Sequence, residues 1–189
     1  IGSMDFNPMD GKLYANAGWD LYSIDLFSGH ATKVGSFPRS DGSPHISFDE
    51  SGRMFVHYEE SGVVQGSGYW YDSVNFTNEQ SIGKPVSNLQ SILANEISVD
   101  GAIWSVDQQL NKLARSSSTT YGSEWIASNS FLPQPLGLDI GKDGKIRLSS
   151  LSSPWTATSS AISRVLELSS TTGISNNTLT FLRAHIGSL

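Results

Sequence analysis

The stretch Met4–Ala15, which reads MDFNPMDGKLYA, predicts a β-hairpin. Asp10 and Gly11 lie between two short apolar segments, where glycine accepts the positive φ of a tight turn and aspartate hydrogen-bonds to the backbone nearby. The same order of features recurs at Ile46–Val56, Ile97–Ser105 and Leu138–Leu148. The repeat length of about 40 to 50 residues is typical of propeller blades.

A second hairpin follows the first in each copy. The corresponding segments are Leu21–Asp25 with Thr32–Gly35, Tyr69–Asp72 with Gln80–Gly83, Leu110–Ala114 with Glu124–Ala127, and Arg164–Leu168 before Gly173. Two hairpins per copy make a four-stranded antiparallel blade, and no window shows the sustained 3.6-residue period of a helix. We therefore predict an all-β protein with a single β-propeller domain over 1–189. Its four blades are expected at about 1–38, 39–90, 91–133 and 134–189.

The sequence pattern does not decide whether the four blades close into a ring. The chain either closes as a four-bladed ring or forms part of a larger propeller completed by other residues or chains. The segment after Gly173 is longer than its counterpart after Gly29. Such an overhang can seal the ring or pair with an exposed strand of a neighbouring subunit.

The first copy resembles the repeat unit of bacterial secreted β-propellers. That unit reads approximately D-F-x-P-x-x-G-x-L-Y and then L-Y-x-I-D-x-x-T-G-x-A-T-x-V-G, which Asp5–Tyr14 and Leu21–Gly35 match well. The fourth copy matches fairly and the middle two match in outline. The resemblance implies a scaffold and, since most of that family has no known function, it carries over no catalytic residues.

Composition narrows the classes of partner. The net charge is −6 and only 16% of the residues are charged, so there is no basic cluster of the kind that nucleic-acid binding needs. Serine and threonine occur in runs, at 116–120 and 169–172, as is common on extracellular or cell-surface proteins. The chain contains no cysteine, and it lacks the apolar stretch of about 18 residues needed for membrane insertion.

The sequence carries no recognisable catalytic or metal motif, so we expect no enzyme and no cofactor. The histidines His30, His45, His57 and His185 are scattered, and each is interpreted as a solvated or hydrogen-bonded turn residue. Asp10, Asp49, Asp100 and Asp143 share one turn position, and calcium binding by these acids is the alternative to a purely structural role. Glu59-Glu60 is interpreted as an exposed loop. Glu96 opens an inner strand and is the acid to check near the axis for glycoside hydrolysis.

Aromatic residues and sequons suggest possible surface sites. Trp70, Trp104 and Trp125 are expected to pack between blades. Trp19 and Trp155 lie in predicted loops and are candidates for stacking on sugars. The sequons at Asn75 and Asn176 are candidate glycosylation sites on the outer side of their blades.

These observations favour a non-enzymatic extracellular structural or interaction protein. We expect self-association, with assembly into a surface fibre through exchange of a terminal strand. The alternative is a carbohydrate-binding, lectin-like propeller, and a weaker one is a glycoside hydrolase-like propeller centred on Glu96.

Overall fold

A computed structural model describes residues 2–40, 42–60, 66–84, 92–107, 112–121, 123–128, 135–140, 145–152, 162–169 and 181–185. Over these ranges the chain forms sixteen β-strands and no helix. The part of the chain so described therefore offers no helix of a length and apolar character that could cross a membrane.

The strands form four antiparallel sheets of four strands, each a meander in chain order. Sheet 1 contains β1 (Met4–Asn7), β2 (Lys12–Ala17), β3 (Asp20–Ile24) and β4 (Ala31–Ser36). Sheet 2 contains β5 (Gly42–Phe48), β6 (Met54–Glu60), β7 (Ser67–Tyr71) and β8 (Gln80–Gly83). Sheet 3 contains β9 (Ile92–Ile97), β10 (Ile103–Asp107), β11 (Lys112–Ser116) and β12 (Ser123–Ser128). Sheet 4 contains β13 (Pro135–Ile140), β14 (Lys145–Ser152), β15 (Ile162–Ser169) and β16 (Phe181–His185).

This architecture confirms the predicted all-β fold of four-stranded antiparallel blades. The exact limits of the blades along the chain stay a prediction.

The first hairpins of sheets 1, 2 and 3 turn as their sequences predict, and the Asp143-Gly144 turn of sheet 4 lies outside the described residues. Gly11, Gly52 and Gly101 have φ values of 66°, 79° and 78°, which a side chain would disfavour. The preceding aspartates accept hydrogen bonds from the turn backbone, with Lys12 N to Asp10 Oδ1 at 3.0 Å and Ala102 N to Asp100 Oδ1 at 3.2 Å. These turn acids therefore have a structural role.

Successive sheets pack face to face through aromatic and aliphatic side chains. Between sheets 1 and 2 the core contains Tyr14, Leu21, Phe37, Ile46, Phe48, Met54, Val56, Tyr58 and Tyr71. Between sheets 2 and 3 it contains Phe55, Trp70, Ile82, Ile92, Ile97, Ile103, Ala114 and Tyr121. Between sheets 3 and 4, Val106, Leu113 and Ile146 pack with Trp104, Leu138 and Ile140. Trp70 and Trp104 thus lie between blades as predicted, whereas the side chain of Trp125 lies outside the described set.

The first strands of the sheets pack on one another in order. β1 packs on β5, β5 on β9, and β9 on β13. A closed four-bladed ring would also require β13 to pack on β1. The described residues of these two strands show no packing of comparable extent. Over the described strands, the sheets therefore pack in the order 1, 2, 3 and 4.

One local interpretation of the sequence needs correction. Glu59 and Glu60 are not in an exposed loop but end β6, where they pair with Ser43 and Gly42. The C-terminal overhang contains β16, which pairs with β15 of its own sheet.

Gly68 allows two aromatic rings to approach the backbone of β7. A Cβ there would lie 2.8 Å from Tyr121 Cδ1 and 2.9 Å from Phe55 Cε2, and both rings are fully buried. We expect Gly68→Ala to lower the free energy of unfolding by about 1 to 3 kcal/mol, the usual cost of overpacking a core. Urea denaturation beside the exposed-strand control Ser81→Ala measures this, and equal stability of the two variants would contradict the packing.

Candidate functional site

The register of the sheets aligns one position of each first strand. Across the first hairpin, Asp5 lies opposite Tyr14, Ser47 opposite Phe55, Glu96 opposite Trp104, and Asp139 opposite Arg147. We call Asp5, Ser47, Glu96 and Asp139 the inner row. Three carboxylates and one hydroxyl therefore occupy equivalent places on the strands that pack on one another.

Asp5 links the first strand of sheet 1 to that of sheet 2. Its Oδ2 accepts a hydrogen bond from Phe48 N at 2.6 Å, and its Oδ1 accepts one from Phe6 N at 2.7 Å. Burial raises the pKa of Asp5 to about 6, although these two hydrogen bonds lower it. The charge of Asp139 adds to the rise. Burial and the charge of Asp139 therefore disfavour the ionised form of Asp5.

The sequence suggested that Glu96 opens its strand, but Glu96 lies near the end of β9. Its Oε1 accepts a hydrogen bond from Ile97 N at 3.2 Å. Burial raises the pKa of Glu96 well above its ordinary value, and the charges of Asp5 and Asp139 raise it further. The three carboxylates are therefore close enough to repel one another.

The other two members of the row differ in exposure. Asp139 is exposed and forms an ion pair with Arg147 Nη1 at 3.4 Å. Ser47 is fully buried, and its Oγ has no hydrogen-bond partner in the described structure. A buried hydroxyl without a partner is costly unless a further group satisfies it.

The inner row does not have the geometry of a metal centre. Over the described ranges, no group of three or more histidine, cysteine, aspartate or glutamate residues could hold a metal ion. The Asp/Gly turns, considered above for calcium, instead have their carboxylates engaged in backbone hydrogen bonds at Asp10, Asp49 and Asp100.

A buried polar cluster lies between sheets 2 and 3. His57 Nδ1 lies 3.1 Å from the Tyr121 hydroxyl, which donates to Asn95 Oδ1 at 3.4 Å, and Ser105 Oγ donates to the same oxygen at 2.7 Å. His45 faces His57 across the hairpin with ring centroids 6.4 Å apart. Interpreting these two histidines as turn residues was therefore wrong.

Both buried histidines are held neutral. Burial lowers the pKa of His57 to about 3, and the neighbouring His45 contributes. Burial also lowers the pKa of His45. His30, in contrast, is exposed in the turn between β3 and β4, as the sequence predicts.

One apolar face of sheet 1 is uncovered. Met4 and Phe6 are 54% and 51% exposed, whereas the corresponding Ile46 and Phe48 of sheet 2 are 2% and 4% exposed because they pack on sheet 1. At equivalent positions, Ile97 of sheet 3 and Leu138 and Ile140 of sheet 4 also pack in the clusters shared with the preceding sheet. We call the surface around Met4 and Phe6 the leading face of sheet 1.

The opposite end of the series has a different character. Tyr14, Phe55 and Trp104 contact the following sheet, and Arg147 is their counterpart in sheet 4. The register continues across sheet 4 as Asp139, Arg147, Glu167 and Arg183. Sheet 4 therefore has a charged residue, Arg147, at the position where the other sheets have an aromatic residue.

The surface sites suggested by the sequence lie apart from the inner row. Trp19 is 39% exposed in the turn between β2 and β3, and Asn75 is exposed in the connection between β7 and β8. Sugar stacking by Trp19 and glycosylation of Asn75 stay predictions. Trp155 and Asn176 lie outside the described residues.

Comparisons with known proteins bear on the fold. No family model and no curated protein matches the chain. A chain in a crystal structure of a nidogen/laminin complex is similar with a TM-score of 0.61 and 15% identity, over 89% of this chain and 60% of that one. Hydrazine synthase of Kuenenia stuttgartiensis is similar with a TM-score of 0.55 and 17% identity, over 89% of this chain and 45% of that one.

The chain thus spans about half to three-fifths of the length of these two structures. Both contain β-propellers, and at this identity the similarity concerns the fold alone. Together with the four meander sheets, it identifies the chain as a β-propeller protein.

Proposed function

We propose that this chain is a non-enzymatic interaction scaffold of the extracellular space or cell surface, which associates with a second copy through the leading face of sheet 1. The observation that carries the proposal is the exposure of Met4 and Phe6, whose counterparts in the other sheets contact the preceding sheet. An exposed apolar patch of this kind is typical of an interaction surface.

The second copy docks face to face rather than head to tail. A head-to-tail contact would place the apolar leading face against Arg147, which holds the place of the aromatic residue in sheet 4. A twofold contact between two leading faces instead buries apolar surface against apolar surface, and such isologous dimers are the commonest oligomers.

Fibre formation by exchange of a terminal strand is less favoured by the strand pairing. β16 is the fourth strand of sheet 4 and pairs with β15 of the same chain. The leading face of sheet 1 therefore replaces the C-terminal strand as the contact in this proposal.

The extracellular assignment rests on composition and on one exposed sequon. The chain combines a low charged fraction of 16% with serine and threonine runs and an exposed sequon asparagine, Asn75. Surfaces of this composition are common among secreted proteins.

Sedimentation velocity over a range of concentrations tests the contact. We expect the wild type to form a dimer and Phe6→Asp to weaken it at least about tenfold, because a charge would be buried in an apolar interface. Val99→Asp is the matched control, since Val99 is exposed in the first turn of sheet 3. A monomeric wild type, or equal weakening by both variants, would contradict the proposal.

A further inference from the structure

We propose that Met4 is an oxidation site at which peroxide prevents the self-association of this chain. The inference rests on the proposed contact through the leading face of sheet 1 and adds its regulation. The chain has three methionines and no cysteine, so its sulfur groups are the thioethers of Met4, Met9 and Met54. Peroxide converts such a thioether, which is apolar, to a sulfoxide, which is polar.

The three methionines differ in their access to solvent. Met4 is 54% exposed and Met9 is 69% exposed, whereas Met54 is fully buried in the core between sheets 1 and 2. A dissolved oxidant therefore reaches Met4 and Met9 in the folded monomer, while the fold shields Met54.

The surroundings of Met4 on the leading face are apolar. Met4 and Phe6 are two residues apart on β1, so their side chains lie on the same face of the sheet. Met4 lies opposite Ala15, and Phe6 lies opposite Leu13. A sulfoxide oxygen on Met4 would find no hydrogen-bond donor among these side chains.

Met9 is as accessible as Met4 but belongs to another surface. It lies in the first turn of sheet 1, and a Cβ added to Gly52 would lie 2.7 Å from Met9 Cγ. Gly52 is in the first turn of sheet 2, so Met9 leans toward sheet 2 and away from the leading face. Oxidation of Met9 should therefore leave the contact between two copies unchanged.

The oxidation needs peroxide as its only co-reactant. The lone pair on Met4 Sγ attacks one oxygen of hydrogen peroxide, an S–O bond forms as the O–O bond breaks, and the other oxygen leaves as water with both protons. The sulfur loses two electrons and the peroxide gains them. In a twofold dimer each copy contributes its own Met4, so complete oxidation places two polar groups in one apolar contact. Burying a polar group without a hydrogen-bond partner opposes association.

Sedimentation velocity before and after treatment with hydrogen peroxide tests the site in the full chain. Peroxide is added to dilute protein, where the monomer predominates, and peptide mass spectrometry identifies the oxidised methionines. We expect oxidation of Met4 and Met9 without oxidation of Met54, and a dimer that is weakened at least about tenfold. Met4→Leu keeps an apolar side chain of similar volume and should dimerise with and without peroxide. Met9→Leu is the matched control and should respond as the wild type does.

The other outcomes overturn the inference, and they separate it from the proposed dimer. A monomeric wild type before treatment contradicts the dimer and this inference together. A wild-type dimer that survives complete oxidation of Met4 contradicts the inference alone, as does an equal loss of association in peroxide-treated Met4→Leu. Oxidation of Met54 in the same sample would attribute the loss of the dimer to unfolding and not to Met4.

Discussion

Acidification from pH 7 to pH 4 is expected to lower the free energy of unfolding by about 3 kcal/mol through His57 alone. The pKa of His57 falls from 6.5 to about 3 in the folded protein, because the ring is fully buried between sheets 2 and 3. Below pH 6.5, His57 therefore binds a proton in the unfolded chain and stays neutral in the folded chain. Stability from this residue is complete above pH 6.5 and is lost as the pH falls toward 3.

Urea denaturation at pH 7 and pH 4 measures this effect in the wild type and in His57→Gln, which keeps a hydrogen-bonding side chain near Tyr121. The variant should lose about 3 kcal/mol less than the wild type between the two pH values. His30→Gln is the control, since His30 is exposed. If all three proteins show the same pH dependence, His57 is not buried as described.

The second large effect of pH on stability arises from Glu96 and has the opposite sign, since this residue destabilises the fold as the pH rises. Burial raises the pKa of this carboxyl, and Asp5 and Asp139 add to the rise, so its ionised form is unfavourable in the folded protein. Its contribution to stability is fully present below the unfolded pKa of 4.5 and is lost as the pH rises through the folded pKa. Glu96→Gln keeps an oxygen to accept from Ile97 N and removes the charge.

We therefore expect Glu96→Gln to raise the free energy of unfolding at pH 7.5 by about 1 to 3 kcal/mol, the usual penalty for a poorly satisfied buried group. The gain should vanish near pH 4, where the wild-type carboxyl is protonated in both states. Denaturation of Glu50→Gln, an exposed acid, supplies the baseline. A destabilised Glu96→Gln at pH 7.5 would show that the carboxylate has a favourable partner instead.

The sequence predicted the sheets because the local signals agree with one another. The Asp/Gly turns, the short apolar strands and the repeat length all indicate the same hairpins, as at Asp10-Gly11 and Asp100-Gly101. The order of the sheets follows from chain order, since each is a meander.

The inner row was only partly visible in the sequence. The sequence points to Glu96 as an acid at an inner strand, but nothing local separates Asp5 and Asp139 from the more regular turn acids. Their signal is register: each lies directly opposite the residue three positions after the turn glycine. That relation becomes visible only when the strands are paired.

The buried histidines and the leading face depend on tertiary contacts that no local pattern contains. His45 and His57 become neutral because sheet 3 covers them with Tyr121 and Asn95, which are distant in the chain. Phe6 and Phe48 have the same local sequence context, and only the presence of a preceding sheet separates their exposure.

Nuclear Overhauser contacts between aromatic rings test the central claim, that the sheets pack in series and leave the leading face of sheet 1 uncovered. The ring centroids of Tyr14 and Phe48 lie 5.4 Å apart, as do those of Phe55 and Tyr121. We predict cross-peaks within both pairs, and none from the Phe6 ring to sheet 4 in dilute, monomeric protein. Missing cross-peaks within the pairs, or contacts from Phe6 to β14, would contradict the account.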